Sequence, residues 1–174
     1  REQLDVRLLL TGYDNHFGHR EKGSTEGFAD YVRYGQEQGI EVVCGQPLIV
    51  DGTSVSSSLV RLKLDEGLVE EAARLLGRPY DLSGTVEHGE QKGRRMGFPT
   101  ANLHVSTLEK LIPAGGVYAV RVQMAGESRS WPAMTNIGLR PTFGEGHRQT
   151  IETHIFGFSG DLYGRRITLS VVRR

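Results

Sequence analysis

Short apolar runs alternate with a helical repeat along the first 45 residues. Residues 4–11 form an apolar-rich run that predicts a short buried strand. Helical spacing follows at Phe28, Tyr31 and Val32 and stops at Gly39. Residues 40–44 predict a second strand. A strand, a helix and a strand in about 40 residues predict a βαβ unit with parallel strands and a right-handed crossover.

A second helical pattern covers residues 59–76. Gly67 interrupts it, so we expect two short helices, the second ended by Gly77 and Pro79. A run of three serines precedes the first helix, and one of them should be its N-cap. The same helix start, with Arg61 one turn in, is also suited to binding phosphate. The pattern alone leaves plain capping and phosphate binding both open.

From Tyr80 onward, the apolar residues no longer follow helical spacing but recur at every second position. Alternating stretches cover residues 82–88, 118–124, 151–156 and 167–172, with Gly and Pro between them. Several such strands predict an antiparallel barrel or sandwich. We therefore expect an α/β part over residues 1–78, a boundary near Arg78 and Pro79, and an all-β part over residues 79–174.

The amino-acid composition argues against several classes of protein. With 37% hydrophobic and 24% charged residues, the chain has the composition of a folded globular protein rather than a disordered one. We expect no membrane span, because no apolar run nears the roughly 18 residues required. We also expect no signal peptide, and the absence of an initial Met suggests a fragment or a processed chain. Cys44 is the single cysteine, which favours the cytoplasm.

The net charge of zero hides an asymmetry between the two halves. Residues 1–78 carry 9 basic and 13 acidic side chains, a net of −4, and residues 79–174 carry 12 and 8, a net of +4. Neither value gives the strong positive field that nucleic-acid binding favours, so we expect no nucleic-acid partner.

The loop over residues 12–20 follows the first predicted strand, where ligands bind in parallel sheets. It contains two glycines, one carboxylate and two imidazoles. A nucleotide or substrate loop is one interpretation, and a plain polar connection is the other. A metal site from Asp14, His16 and His19 is a third.

The loop over residues 89–102 has the densest candidate chemistry. Its glycines let a ligand approach the backbone, and Lys92, Arg94 and Arg95 supply positive charge. Pro99 favours an extended chain, so Thr100 and Asn102 point to the same side. Their oxygens suit Mg²⁺ beside substrate phosphates. A basic solvated loop is the alternative.

Residues 97–102 read Gly-Phe-Pro-Thr-Ala-Asn, which resembles the signature of riboflavin kinases. Further segments look like that family's landmarks in the same order: residues 84–89, 113–118, 136–143, 151–154 and 158–164. The first half looks like the FMN adenylyltransferase module that bacteria fuse to this kinase. Its Gly12-Tyr13-Asp14 with Phe17-Gly18, and its serine run with Val60-Arg61, resemble two elements of that module. The resemblance covers essentially the whole chain.

The resemblance implies a partial Rossmann-like nucleotidyltransferase domain followed by a riboflavin-kinase antiparallel β-barrel. It implies transfer of the γ-phosphoryl group of Mg-ATP to the 5′-hydroxyl of riboflavin, which gives FMN. Glu152 is the implied catalytic base, and Thr100 and Asn102 are the implied Mg²⁺ ligands. The implied ATP and phosphate residues are Gly84, Gly89, Lys92, Gly93, Thr100 and Asn102. The implied flavin residues are Asn136, Arg140, Thr142 and Phe143.

In the adenylyltransferase part, the residues implied to contact ATP or FMN are Asp14, Phe17, Ser56, Ser57, Ser58 and Arg61. Two departures from the family pattern stand out. The family's adenylyltransferase opens with a strand and a His-x-Gly-His motif that the sequence does not contain. In the family a helix also follows the last barrel strand, and this sequence stops at Arg174, about where that helix should begin. We therefore expect this chain alone to make little FAD from FMN and ATP.

A binding barrel without chemistry is the competing class. Small barrels bind oligonucleotides through aromatic faces and positive charge, but this chain has 7% aromatic residues and only a modest positive charge in its second half. A barrel that binds flavin or nucleotide without turnover is the more serious alternative.

Overall fold

The computed structural model describes residues 5–12, 27–89, 99–105, 110–141 and 147–174, and for residues 140–141 and 147–148 it describes the backbone only. Contacts divide the chain into two compact units, Arg1–Val55 and Ser56–Arg174. This division places the second helical pattern with the β-rich part. It concerns packing alone, and the module boundary expected near Arg78 stays a prediction.

The first unit contains β1 (Leu8–Gly12), α1 (Phe28–Glu37) and β2 (Glu41–Gly45). The two strands are parallel, as the βαβ pattern predicts. The buried face of α1 runs through Tyr31 and Gly35 instead of Phe28, which is 40% exposed. Gly35 permits this packing, because a Cβ there would overlap the side chain of Val42. A hairpin of β3 (Ile49–Val50) and β4 (Thr53–Ser54) follows.

The second unit begins with two helices, α2 (Ser57–Asp65) and α3 (Val69–Leu76). Ser56 caps α2, since its hydroxyl accepts a hydrogen bond from the Leu59 amide at 3.2 Å. Gly67 and Gly77 end the two helices with φ of 75° and 72°, which confirms both predicted stops. No helix in the described part of the chain has the length and apolar character needed to cross a bilayer.

The rest of the second unit is a closed antiparallel barrel in the order β10-β5-β6-β9-β8-β7. Its strands are β5 (Tyr80–Glu87), β6 (Ala101–His104), β7 (Gly116–Met124), β8 (Ser130–Pro141), β9 (His147–Ile155) and β10 (Arg166–Arg173). Pairing of β7 with β10 closes the ring. The predicted antiparallel barrel is therefore confirmed.

Apolar side chains from alternate positions fill the barrel. Fully buried residues include Leu82, Tyr118, Val122, Met124, Ile167 and Leu169. Two threonines join them: Thr135 and Thr153 are at most 1% exposed, and their hydroxyls lie 2.8 Å apart. The strands β6 and β8 were not among the predicted strands, and β6 begins inside the segment 89–102 that the sequence analysis interprets as a loop. In β8, the buried Thr135 and the exposed Met134 reverse the expected alternation, and the contact with the Thr153 hydroxyl explains the buried threonine.

Candidate functional site

A row of polar side chains crosses three neighbouring strands on the outside of the barrel. In the strand register, Asn102 of β6 lies opposite Glu152 of β9, and Glu152 lies opposite Asn136 of β8. Residues opposite each other share a face, with Cβ atoms about 5 Å apart. Glu152 faces outward because Ile151 and Thr153, its chain neighbours, are buried in the core. Glu152 is half-buried, and its register neighbours on both adjacent strands are asparagines.

A cavity of about 500 Å³ opens beside this row. One wall consists of residues 99–102, and the other of residues 158–163. Thr100 and Asn102 both line it, while Glu152 and Asn136 do not. Asn102 therefore belongs both to the cavity lining and to the polar row, so Glu152 has a register neighbour that lines the cavity.

Gly89 and Gly84 permit two close approaches around β6. A Cβ at Gly89 would overlap the side-chain amide of Asn102, so only glycine leaves that amide its position. A Cβ at Gly84 would overlap the main-chain carbonyl of His104. Gly89 lines the cavity, whereas Gly84 lies within β5 and does not.

The start of β6 is tied to β9 by a side chain as well as by the ladder. The Nδ1 atom of His154 lies 2.9 Å from the carbonyl oxygen of Pro99. The backbone ladder between the strands pairs Ala101 with Thr153 and Asn102 with Glu152. The histidine contact thus lies beside the residues that enter the cavity.

Aromatic rings form the far side of the cavity. Tyr163 stacks on His88 with centroids 3.7 Å apart and planes at 23°. Phe158 meets Trp131 edge to face at 5.3 Å. Sequence reasoning assigned no role to Phe158 or Tyr163. The signal was present, since both lie in the segment 158–164 that resembles a family landmark.

Thr100 and Asn102 offer a hydroxyl and an amide oxygen to the same cavity. These neutral oxygens fit Mg²⁺, which takes few protein ligands and completes its shell with phosphates and water. A Cβ at Gly89 would overlap the Asn102 amide, so the glycine leaves the amide oxygen its place beside the cavity, which supports this fit.

Of the other predicted site residues, some lie outside the described residues: Asp14, Phe17, Lys92, Gly93, Thr142 and Phe143. Arg140 is described by its backbone, which pairs with Arg148. Ser56 acts as the N-cap of α2, and Ser57, Ser58 and Arg61 are exposed on its first turns. The structure does not bring these α2 residues to the cavity lining.

A model of the riboflavin kinase family matches residues 76–174. Among curated relatives, the bifunctional riboflavin kinase/FMN adenylyltransferase of Pseudomonas fluorescens is 40% identical over 167 residues. The proteins with that name from Escherichia coli K12 and Bacillus subtilis are 39% and 35% identical. These alignments cover 95–98% of this chain but 51–52% of each relative, so the chain spans about half of their length.

A solved structure is also similar to nearly the whole chain. It is described as a macrolide-efflux protein from Streptococcus pneumoniae, with a TM-score of 0.80 and 32% identity. The similarity covers 96% of this chain and 51% of that one.

Proposed function

The chain belongs to the riboflavin kinase family, and on this basis we propose that residues 79–174 transfer the γ-phosphoryl group of ATP to the 5′-hydroxyl of riboflavin. The products are FMN and ADP. The observation that carries the proposal is the polar row Asn102, Glu152 and Asn136 beside the cavity that Asn102 shares. It brings a candidate base next to a candidate phosphate site, which phosphoryl transfer requires.

We infer that Glu152 accepts the proton of the riboflavin hydroxyl as that oxygen bonds to the γ-phosphorus. The bond from the γ-phosphorus to the bridging oxygen breaks, and ADP leaves with that electron pair. The proton then passes from Glu152 to water. The flanking amides of Asn102 and Asn136 orient the carboxylate and the incoming hydroxyl, so the reacting atoms meet in line.

Thr100 and Asn102 would hold Mg²⁺ at the cavity wall that they share. When bound there, Mg²⁺ neutralises phosphate charge. The absence of a side chain at Gly89 leaves the Asn102 amide its place, and Phe158 and Tyr163 line the opposite side of the cavity. By the resemblance, Gly84, Lys92 and Gly93 contribute to the phosphate loop. Arg140, Thr142 and Phe143 contribute with Asn136 to the flavin side.

We further propose that residues 1–78 belong to an adenylyltransferase module of Rossmann-like fold, with a module boundary near Arg78 and Pro79. The parallel β1–β2 pair supports this, because nucleotidyltransferase folds of that kind are built on parallel strands. Asp14, Phe17, Ser56, Ser57, Ser58 and Arg61 would face ATP or FMN there. Small molecules are the proposed partners, and the cytoplasm is the proposed location.

The kinase proposal is tested by Glu152→Gln, with FMN formation from riboflavin and Mg-ATP followed by chromatography. We expect kcat to fall by about 10²–10⁴-fold, because a neutral amide does not accept the proton. The KM for riboflavin should stay within about threefold, since size and hydrogen bonding are kept.

Glu87→Gln is the matched control. Glu87 lies on β5, on the same outer face but outside the row, with Asn102 between it and Glu152, and it undergoes the same chemical change. We expect its kcat within about twofold of the parent. FMN formation by Glu152→Gln at the parent rate would contradict the base assignment. Riboflavin binding by the parent without FMN formation would contradict the kinase proposal and favour a binding barrel.

A further inference from the structure

His154 connects β9, the strand of the proposed base Glu152, to the segment that carries the candidate metal ligands. It stands two residues after Glu152 on β9, on the same outward face, and its Nδ1 atom lies 2.9 Å from the Pro99 carbonyl oxygen. Pro99 directly precedes Thr100 on the cavity wall. The contact spans 55 residues of sequence, so nothing local in the chain requires it.

The chemistry of the contact fixes which atom is the donor. A carbonyl oxygen only accepts, so the Nδ1 atom of His154 carries the hydrogen. The neutral tautomer with hydrogen on Nδ1 meets this requirement, and so does the imidazolium. The ring is also held by Phe156, whose plane meets it at 79° with centroids 5.3 Å apart.

The position of this bond matters because the ladder ends there. Ala101 and Asn102 pair with β9 through the backbone, but Pro99 has no N–H to donate to a strand. The His154 side chain holds the Pro99 carbonyl just beyond the last ladder pair. Thr100 therefore lies between Pro99, which the His154 side chain holds, and Ala101, which pairs with β9 through its backbone.

We propose that His154 is a positioning residue for the nucleotide and metal site. By holding Pro99, it fixes the Thr100 hydroxyl and the Asn102 amide relative to Glu152, without touching substrate itself. The inference rests on the proposed function for its link to Mg-ATP. Partners that orient metal ligands typically change affinity or activity by about 10–100-fold when they are removed.

Three substitutions separate the hydrogen bond from the bulk of the ring. In His154→Asn, the new side-chain amide nitrogen lies nearly where Nδ1 was and donates to the Pro99 carbonyl. In His154→Gln, the amide nitrogen lies one bond further from the backbone. His154→Ala removes donor and ring together. His104→Ala is the matched control, because His104 also lies on the outer face, on β6 itself, but faces Glu87 at 3.8 Å.

Binding is read from Mg-ADP titrations that follow the fluorescence of Trp131, the single tryptophan, which contacts Phe158 in the cavity wall. We expect the Kd for Mg-ADP and the KM for Mg-ATP to rise about tenfold in His154→Ala and His154→Gln. The Kd for Mg-ADP and the KM for Mg-ATP should both lie within about threefold of the parent values in His154→Asn and in His104→Ala. The KM for riboflavin should change by less than about twofold in all four.

Unchanged Mg-ADP binding in His154→Ala would overturn the inference. So would equal losses in His154→Asn and His154→Ala, or a riboflavin KM that rises together with that for Mg-ATP, since either indicates a general structural role. If His154→Ala weakens Mg-ADP binding but the parent forms no FMN, the positioning role is supported and the kinase proposal is contradicted.

Discussion

Two tyrosines hold residues 110–114, the segment before β7, against the barrel through their hydroxyl groups. Tyr80 donates to the Leu111 carbonyl at 2.9 Å, and Tyr118 donates to the Ala114 carbonyl at 2.5 Å. Burial raises the pKa of both tyrosines above the ordinary value of 10.0. A phenol in a poorly hydrated site keeps its proton, because the phenolate loses water that the protein does not replace.

These raised pKa values give a prediction for alkaline stability. Unfolding returns each tyrosine to a pKa near 10, so the unfolded chain releases protons before the folded one. The stabilisation is fully present below pH 10 and is lost as pH rises through the folded pKa. Tyr80→Phe should therefore lose stability less steeply than the parent above pH 10, while losing about 1 kcal/mol at neutral pH from the missing hydrogen bond.

Urea unfolding from about pH 8 to about pH 11 tests this expectation. Tyr118→Phe should reduce the alkaline slope in the same sense. A parent and a Tyr80→Phe variant with parallel pH profiles would show that Tyr80 ionises equally readily in both states.

At the scale of elements, the short strand β6 depends on its neighbours. Gly84 of β5 lets the β6 backbone approach closely, and Gly89 leaves the space that the Asn102 amide occupies. On the other side, β9 supplies two ladder pairs and the His154 contact. Four residues of β6 thus bring Asn102 to a defined place without a long ladder of their own.

Gly89→Ala tests that dependence. The new Cβ would overlap the Asn102 amide and displace it, so we expect the KM for Mg-ATP to rise by at least about tenfold, as displacement of a binding group by about 1 Å costs much activity. Gly115→Ala is the control, because its Cβ would meet only the Ile137 carbonyl at 3.4 Å. Equal KM values for the two variants would show that the Asn102 position does not depend on Gly89.

At the scale of the whole molecule, α2 and α3 pack with the barrel. Leu64, Val69 and Ala72 are at most 1% exposed, and α3 contacts both β5 and β10. Arg174 adds hydrogen bonds from its guanidinium to the carbonyls of Glu66 and Gly115. The helices therefore cover part of the barrel, although the family match begins only at residue 76.

A comparison of two fragments follows from this packing. Residues 56–174 should unfold cooperatively, and residues 79–174 should be less stable by about 5 kcal/mol, because several fully buried apolar side chains lose their cover. Chemical denaturation of both fragments measures the difference. Equal stabilities would indicate that α2 and α3 contribute no net stabilisation to the barrel.

Individual residues show how much of the fold and of the candidate site could be predicted from the sequence. The period-two stretches predicted β5, β7, β9 and β10. The strand β6 was missed because its four residues follow directly on the glycine-rich loop, and β8 was missed because Thr135 is polar inside and Met134 apolar outside. Only the partner Thr153, 18 residues away, explains the buried threonine. The predicted base and metal ligands stay predictions, although Asn102 and Glu152 do lie side by side.

The sequence by itself determined what depends on neighbours along the chain. Alternation, helical spacing and glycine stops specify strands, helices and their ends, since these depend on local geometry and on which face is apolar. The tertiary structure alone decided what depends on register. Whether Glu152 faces Asn102 and Asn136, and whether His154 reaches Pro99, is settled by strand pairing between distant segments, which a slip of one residue would reverse.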